Sequence, residues 1–446
     1  MKRANNIIEL FQNLSPIHFL TPDKEEFYVD LYPQDIKRIR VELLYDPQPN
    51  TTIYVSGQTG SGKTTALNFL PNNDIENKYI IEYFYSNQLL QLDDIDIVDV
   101  LLMLCYKLAG HSEKLTLKVG KRVTEMAQQL RSELEKTIQT SKTHNAGGGG
   151  DIEIGGDKEV GIFPRFLNFF GHKFSLHADY RFNYEKRNIA RQVLSPKLED
   201  LLALTNEIID AYLSEKDPNN QKQLLIFLHD LNHMQNAKII KELFIKNRYY
   251  LERLKAVKII TIPVGLRALP MFQAHINFLG LKIKQNPLTP DNEEENQAIE
   301  RNKNLLRAII EKRISEAADL IEDKALDIAI EYSGGIVRQL IDILHQAARK
   351  VIANEGDYIY EHDVREGMTG VRRKLTRSLF KKERIEILDF IRQNYASNTN
   401  DENLFIESAA ANQVVVYKND DFWYDINPLI QNTVKSHAAK LNEDND

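Results

Sequence analysis

Eight residues, Gly57-Gln58-Thr59-Gly60-Ser61-Gly62-Lys63-Thr64, separate the β-branched and aromatic run Thr51 to Ser56 from the helix-forming run Thr64 to Leu70. Strand, glycine-rich turn and helix in that order place the turn at the edge of a sheet. Glycines at Gly57, Gly60 and Gly62 let the backbone curl until successive N–H groups face one point. The helix that starts near Lys63 adds the positive end of its dipole. Such a turn is suited to a polyanion. Gly57 to Thr64, with Thr65 behind them, are the expected contacts to ATP, Lys63 neutralising the β- and γ-phosphates and the Thr64 hydroxyl ligating Mg²⁺.

The rest of the chain supplies a frame for that turn. Tyr79 to Tyr85 is a second strand candidate, Ile95 to Ala109 an apolar helix, and Gln223 to His229 and Ala256 to Pro263 are apolar runs of buried-strand length. A helical stretch across Lys238 to Arg253 separates the last two. Strands alternating with helices predict an α/β fold with a mainly parallel sheet. Residues 1 to 45, broken by Pro16, Pro22 and Pro33, read as a helical and irregular lead-in, and 46 to 290 as the core. Within that core an insert is expected from 111 to 198. It has a polar helix over Lys114 to Lys142, then a projecting hairpin or small sheet over Asp151 to Phe182, whose Phe163, Phe166, Phe169 and Phe170 either pack onto the body or serve a partner, packing being the favoured reading. Arg187 to Leu213 reads as the helix leading back. Beyond Pro287 and Pro290, residues 291 to 370 read as a small helical lid. From 371 to 446 a helix at Glu383 to Tyr395 precedes two short strands, Val414 to Lys418 and Phe422 to Ile426, the order of a winged-helix-like domain.

A magnesium-bound nucleotide also needs a carboxylate at the end of a neighbouring strand, and Leu224-Leu225-Ile226-Phe227-Leu228-His229-Asp230 ends in one. Asp230 is the candidate metal ligand. The acidic pair common at this point is incomplete: Leu231 follows Asp230, and in a register one residue earlier His229 replaces the metal acid and leaves Asp230 as base. Either register predicts impaired hydrolysis unless Asn232 or a neighbouring subunit compensates. The Walker A turn, this apolar Walker B strand, the strand Val257 to Pro263 and the segment Tyr332-Ser333-Gly334-Gly335-Ile336-Val337-Arg338 together resemble the AAA+ and STAND-type ATPases of the initiator-like branch. The large element between the first two motifs resembles the KAP group. The resemblance implies a P-loop NTPase core with a lid, places Thr261 at sensor 1 and brings Arg338 from the lid to the γ-phosphate. A guanidinium there would sense the terminal phosphate. Arg248, Arg253 and Arg267 are candidates for an arginine supplied to a neighbour in a homo-oligomer.

Sixty-four acidic against 57 basic residues give a formal charge of −7, so any nucleic-acid surface must be local. Arg372, Arg373, Lys374 and Arg377 are the one such cluster, followed by Lys381, Lys382 and Arg384. Opposing it, Asp420 and Asp421 sit at the hairpin tip. Cys105, the only cysteine, lies in an apolar run and reads as a core thiol. Trp423 and Tyr424 read as core. No run approaches the roughly 18 apolar residues of a membrane span, and a cytoplasmic chain is expected. The expected function is an ATP-binding switch with slow or partner-dependent hydrolysis that controls assembly or engagement of a protein effector. Its STAND-like features imply a link to prokaryotic antiviral defence. The alternative is a DNA-associated AAA+ ATPase gripping duplex DNA through its C-terminal domain.

Overall fold

The computed structural model describes residues 2–16, 19–45, 48–110, 184–219, 221–272, 276–377, 379, 381–397, 401–419 and 421–443. The expected hairpin over Asp151 to Phe182, its phenylalanines and the helix over Lys114 to Lys142 lie outside them. A five-stranded sheet has the order β2-β3-β4-β1-β5, with β1 at Thr52–Gly57, β2 at Tyr79–Tyr85, β3 at Gln223–His229, β4 at Val257–Pro263 and β5 at Ile276–Asn277. The recorded pairings β1 with β5, β2 with β3 and β3 with β4 are all parallel. This is the α/β architecture expected from the alternating pattern. No helix among the described residues is long and apolar enough to cross a membrane.

By its internal contacts the chain forms two compact units, residues 1–41, 54–72 and 261–446 in the first and 42–53 and 73–260 in the second. In the second, β3 and β4 are apolar along nearly their whole length because both faces are covered, whereas the edge strand β2 is half-exposed at most positions. The helix Ile97–Gly110 packs on Leu198–Lys216, where buried Cys105 sits 3.3 Å from the Thr205 hydroxyl and burial pushes its thiol up to about 12.

Lys258, the second residue of β4, is fully buried. Its ammonium donates to Leu254 O at 2.8 Å, Asn50 O at 3.0 Å and Glu252 O at 3.3 Å, and burial lowers its pKa to about 7. Between pH 7 and the ordinary lysine value the unfolded chain binds the extra proton, so stability rises with pH in that window. Urea denaturation from pH 7 to 10 is expected to show a gain approaching ~1.4 kcal/mol per pH unit from this group. Lys258→Met should remove that part of the slope; an unchanged slope would mean the three carbonyls keep the lysine charged.

In the first unit the helices Glu293–Glu311, Asp323–Tyr332, Val337–Ala353 and Glu361–Thr376 bury Leu306, Ile310, Ala329, Leu340, Leu344 and Ala347 in one core. The lead-in belongs to this core. Leu10 and Leu14, from and just beyond the helix Ile7–Asn13, are fully buried in it, Phe11 stacks on His345 at 4.3 Å, and Asn6 caps the helix by accepting from the Ile8 and Glu9 N–H groups. The C-terminal part carries helices Lys382–Asn394 and Glu402–Ala410, an antiparallel hairpin of β6 (Val414–Lys418) and β7 (Phe422–Ile426), and helix Gln431–Glu443. One hairpin face packs Val414, Val416 and Tyr424 on Leu388 and Phe405; the other packs Val415, Tyr417 and Trp423 on Ile336. Two covered faces explain the unbroken Val414-Val415-Val416 run, and Trp423 and Tyr424 are core residues as expected. The boundary expected at 370 to 371 falls inside the continuous helix Glu361–Thr376.

Candidate functional site

The turn after β1 is held by close backbone approach. A β-carbon on Gly57 would lie 1.9 Å from Phe278 O, so only glycine lets β1 run beside the chain at Phe278. The Ser61 hydroxyl donates to the same Phe278 O at 2.6 Å. Buried Tyr32, stacked on Phe278, points its hydroxyl between Ser61 O and Leu279 O, each 2.6 Å away. Gly60 and Gly62 have φ values of 88° and 99°, the left-handed region that the curl requires.

Within this cradle Lys63 is almost fully buried, and its ammonium donates to Gly57 O at 2.8 Å and Gln58 O at 2.7 Å. The turn therefore wraps its own cation. Thr64 is half-buried at the head of the helix Lys63–Asn68, and a β-carbon on Gly62 would meet only Leu31 Cδ1, at 3.7 Å. Open space beside Gly62, a buried ammonium and a hydroxyl one residue on fit a magnesium–triphosphate donor set.

Four further hydrogen bonds tie the turn to distant segments of the same unit. The Arg338 N–H donates to Gly60 O at 2.9 Å, and a β-carbon on Gly60 would fall 2.4 Å from Arg338 Cβ. Thus the backbone of Arg338 and the base of its side chain lie against the turn. Gln58, one of the expected nucleotide contacts, turns its fully buried side chain inward instead: Nε2 donates to Val416 O of β6 at 2.9 Å, and Oε1 accepts from the Gly280 N–H at 2.7 Å. Asn412 Nδ2 donates to Thr59 O at 2.7 Å. Tyr32, Phe278 and Asn412 carry no motif.

Thr261 is fully buried on β4. In the second unit His229 is fully buried in an aromatic ladder with Tyr85, Phe227 and Tyr83 at ring distances of 5.1, 5.8 and 6.0 Å. Neither ring nitrogen has a hydrogen-bond partner among the described residues, and burial, aided by the charge of Lys107, drives its pKa down to about 3. A neutral imidazole committed to the sheet face is unsuited to replace a metal carboxylate. Asp230, 4% exposed with a φ of 70°, stands immediately before the short turn Leu231–His233 at the end of the strand, makes no side-chain capping bond to it, and is the carboxylate there.

Of the candidate arginines for a neighbour, Arg248 pairs with Glu252 at 2.6 Å and Arg253 with Glu199 at 2.8 Å. Arg267 is a correction: it is 5% exposed, its guanidinium 3.5 Å from the Phe422 ring centre, so it faces the interior rather than a neighbouring copy. In the basic cluster Arg372 donates to Leu429 O at 2.9 Å and Lys374 lies 3.3 Å from Asp342, while Arg373 and Arg377 are exposed.

No family model matches the chain, and no curated protein matches it. Among solved structures it is similar to the Walker-type ATPase PABY2304 of Pyrococcus abyssi, with 10% identity over 95% of this chain and 99% of that one at a TM-score of 0.43. Cdc6p from Pyrobaculum aerophilum is 13% identical over 97% of this chain and 98% of that one, at 0.41. The Aeropyrum pernix ORC2 protein is 11% identical over 94% of this chain and 100% of that one, at 0.39.

Proposed function

We propose that the chain is a P-loop ATPase of the AAA+ type that uses magnesium–ATP as a switch for homo-oligomer assembly or engagement of a protein effector, with slow or partner-dependent hydrolysis. The observation that carries this reading is the clamping of the phosphate-binding turn: consecutive residues Gln58, Thr59 and Gly60 bond to β6, to Asn412 and to the Arg338 N–H. Bound nucleotide would bring the terminal phosphate whose transfer to water is the reaction, and Mg²⁺ would offset its charge. Lys63 and the turn's N–H groups would hold the phosphates, Thr64 and Asp230 the metal, Thr261 a polar contact and Arg338 the lid's link to the phosphates. The ammonium of Lys63 now rests on the carbonyls of Gly57 and Gln58, so re-aiming it moves the peptides on which the hairpin and lid rest. With Leu231 after Asp230 and His229 buried, no second carboxylate adjoins Asp230 in the sequence to activate water, which supports slow turnover.

Light scattering on the full chain is expected to give a different mass with magnesium–ATP than with magnesium–ADP or neither, and Asn412→Ala, which cuts one clamp, should narrow that difference. Equal masses in all three states would sink the assembly reading, and unassisted turnover near ~10 s⁻¹, an ordinary enzyme rate, would sink slow hydrolysis. Exposure of Arg373 and Arg377 favours one second reading, the DNA-associated ATPase. A mass change that needs duplex DNA and is lost in Arg373→Ala/Arg377→Ala would put that reading first. A role in antiviral defence is carried by the STAND resemblance alone.

A further inference from the structure

Apart from the phosphate-binding turn, the first unit holds a cleft of about 580 Å³ bordered by the N-terminal segment, residues 19 to 24, Arg313 and Ile341 of the helix Val337–Ala353. That volume is typical of small-molecule sites. Lys2, Arg3, Lys24 and Arg313 bring four cations to its wall, and Glu9 is the one acid among the described residues lining it. The Glu9 carboxylate already accepts from the Asn5 N–H at 2.7 Å, and Arg3 lies 3.4 Å from exposed Glu316.

Arg313 is the informative member. It is 7% exposed, its Nη1 donates to Ile309 O, and its Nε has no hydrogen-bond partner among the described residues. No described carboxylate pairs with it. Burial pushes its guanidinium down to about 10, which leaves it charged at neutral pH. A buried cation normally has a counter-charge, because desolvation without one is costly. Here Arg313 lines a cleft instead. A guanidinium fork matches phosphate or carboxylate, but three more cations call for an anion of more than one charge. Phe19, Leu20 and Ile341 add an apolar wall, on which an organic body can lie.

We propose that this cleft binds a small phosphorylated molecule, its phosphate seated among Arg313, Lys2 and Lys24 and its body against Phe19 and Leu20. The site is wired to the phosphate-binding turn. The Leu20 N–H donates to the Thr65 hydroxyl at 3.3 Å, Leu20 O accepts from Asn68 Nδ2 at 3.1 Å, and Ile341 lies one helical turn beyond Arg338. An occupant would thus stiffen the helix after the turn and the start of the lid helix together.

The test uses inorganic pyrophosphate and AMP as probes in Lys63→Met protein, in which binding at the phosphate-binding turn is strongly weakened. Calorimetry should give saturable heat with at least one probe, and that probe should raise Tm by about 2 °C or more at saturation. Adding Arg313→Met should abolish both effects while leaving the probe-free Tm at or above that of its Lys63→Met parent, because an uncompensated buried charge is removed. Adding Lys24→Ala instead, a partly exposed change with little bearing on folding, should weaken binding about tenfold. No heat and no Tm rise with either probe would overturn the proposal, and so would probe binding undiminished by Arg313→Met and Lys24→Ala.

Discussion

Lys63→Met is expected to weaken magnesium–ATP binding by at least about 100-fold, since it removes the buried cation held within the turn and keeps most of its stem. Calorimetry on well-folded protein reads the loss directly. A second effect follows from the geometry. The ammonium donates to Gly57 O and Gln58 O at 2.8 and 2.7 Å, and methionine leaves both carbonyls without that donor inside the fold. Each loss costs about 1 kcal/mol or more, so the variant should also be less stable without nucleotide. The two readouts separate two roles: an ammonium that only binds phosphate would leave apo stability unchanged, and one that only shapes the turn would leave affinity within severalfold. Wild-type-like affinity for ATP would end the nucleotide-switch reading.

What local pattern determines was legible in the sequence, and what long-range contact determines was not. Strands Tyr79–Tyr85, Gln223–His229, Val414–Lys418 and Phe422–Ile426 stand where the apolar runs place them, because burial on one or both faces leaves a period of two or an unbroken run. β5, only Ile276–Asn277, is too short to carry a period. The helices Glu402–Ala410 and Gln431–Glu443 stand where the sequence pattern predicts no element, since packing on the hairpin rather than propensity holds them. The single helix expected over Lys238 to Arg253 is broken by a π-helical turn at Glu242–Lys246. In the site, the glycines and Lys63 announce themselves by spacing. Gln58 does not reveal that its side chain serves β6, because its partners Val416 and Gly280 are remote in sequence. His229 looks like a substituted metal ligand until its aromatic neighbours on β2 are seen.

Gly335→Ala should be among the most damaging small substitutions in this chain. Gly335 has a φ of 77°, and a β-carbon there would sit 1.8 Å from Leu281 O. The same backbone pair is bonded, the Leu281 N–H donating to Gly335 O at 2.9 Å, so the strands of chain cannot separate without losing that bond. Left-handed strain of about 1–2 kcal/mol adds to an overlap that typically costs about 1–3 kcal/mol, for a loss near ~3 kcal/mol in urea denaturation. Gly370→Ala is the matched control: it lies in the helix Glu361–Thr376, its β-carbon would meet only the Gln346 side chain at 3.6 Å, and a gain of about 0.5–1 kcal/mol is expected. Opposite signs from the same chemical change would show that backbone approach makes Gly335 a glycine. The functional consequence comes three residues later. Gly334 and Gly335 lead into the helix Val337–Ala353, whose Arg338 N–H rests on Gly60 O, so a displaced Gly335 should loosen that contact and lower ATP affinity beyond the loss of stability. Folded Gly335→Ala protein with parental ATP affinity would mean that the lid helix does not report on the turn.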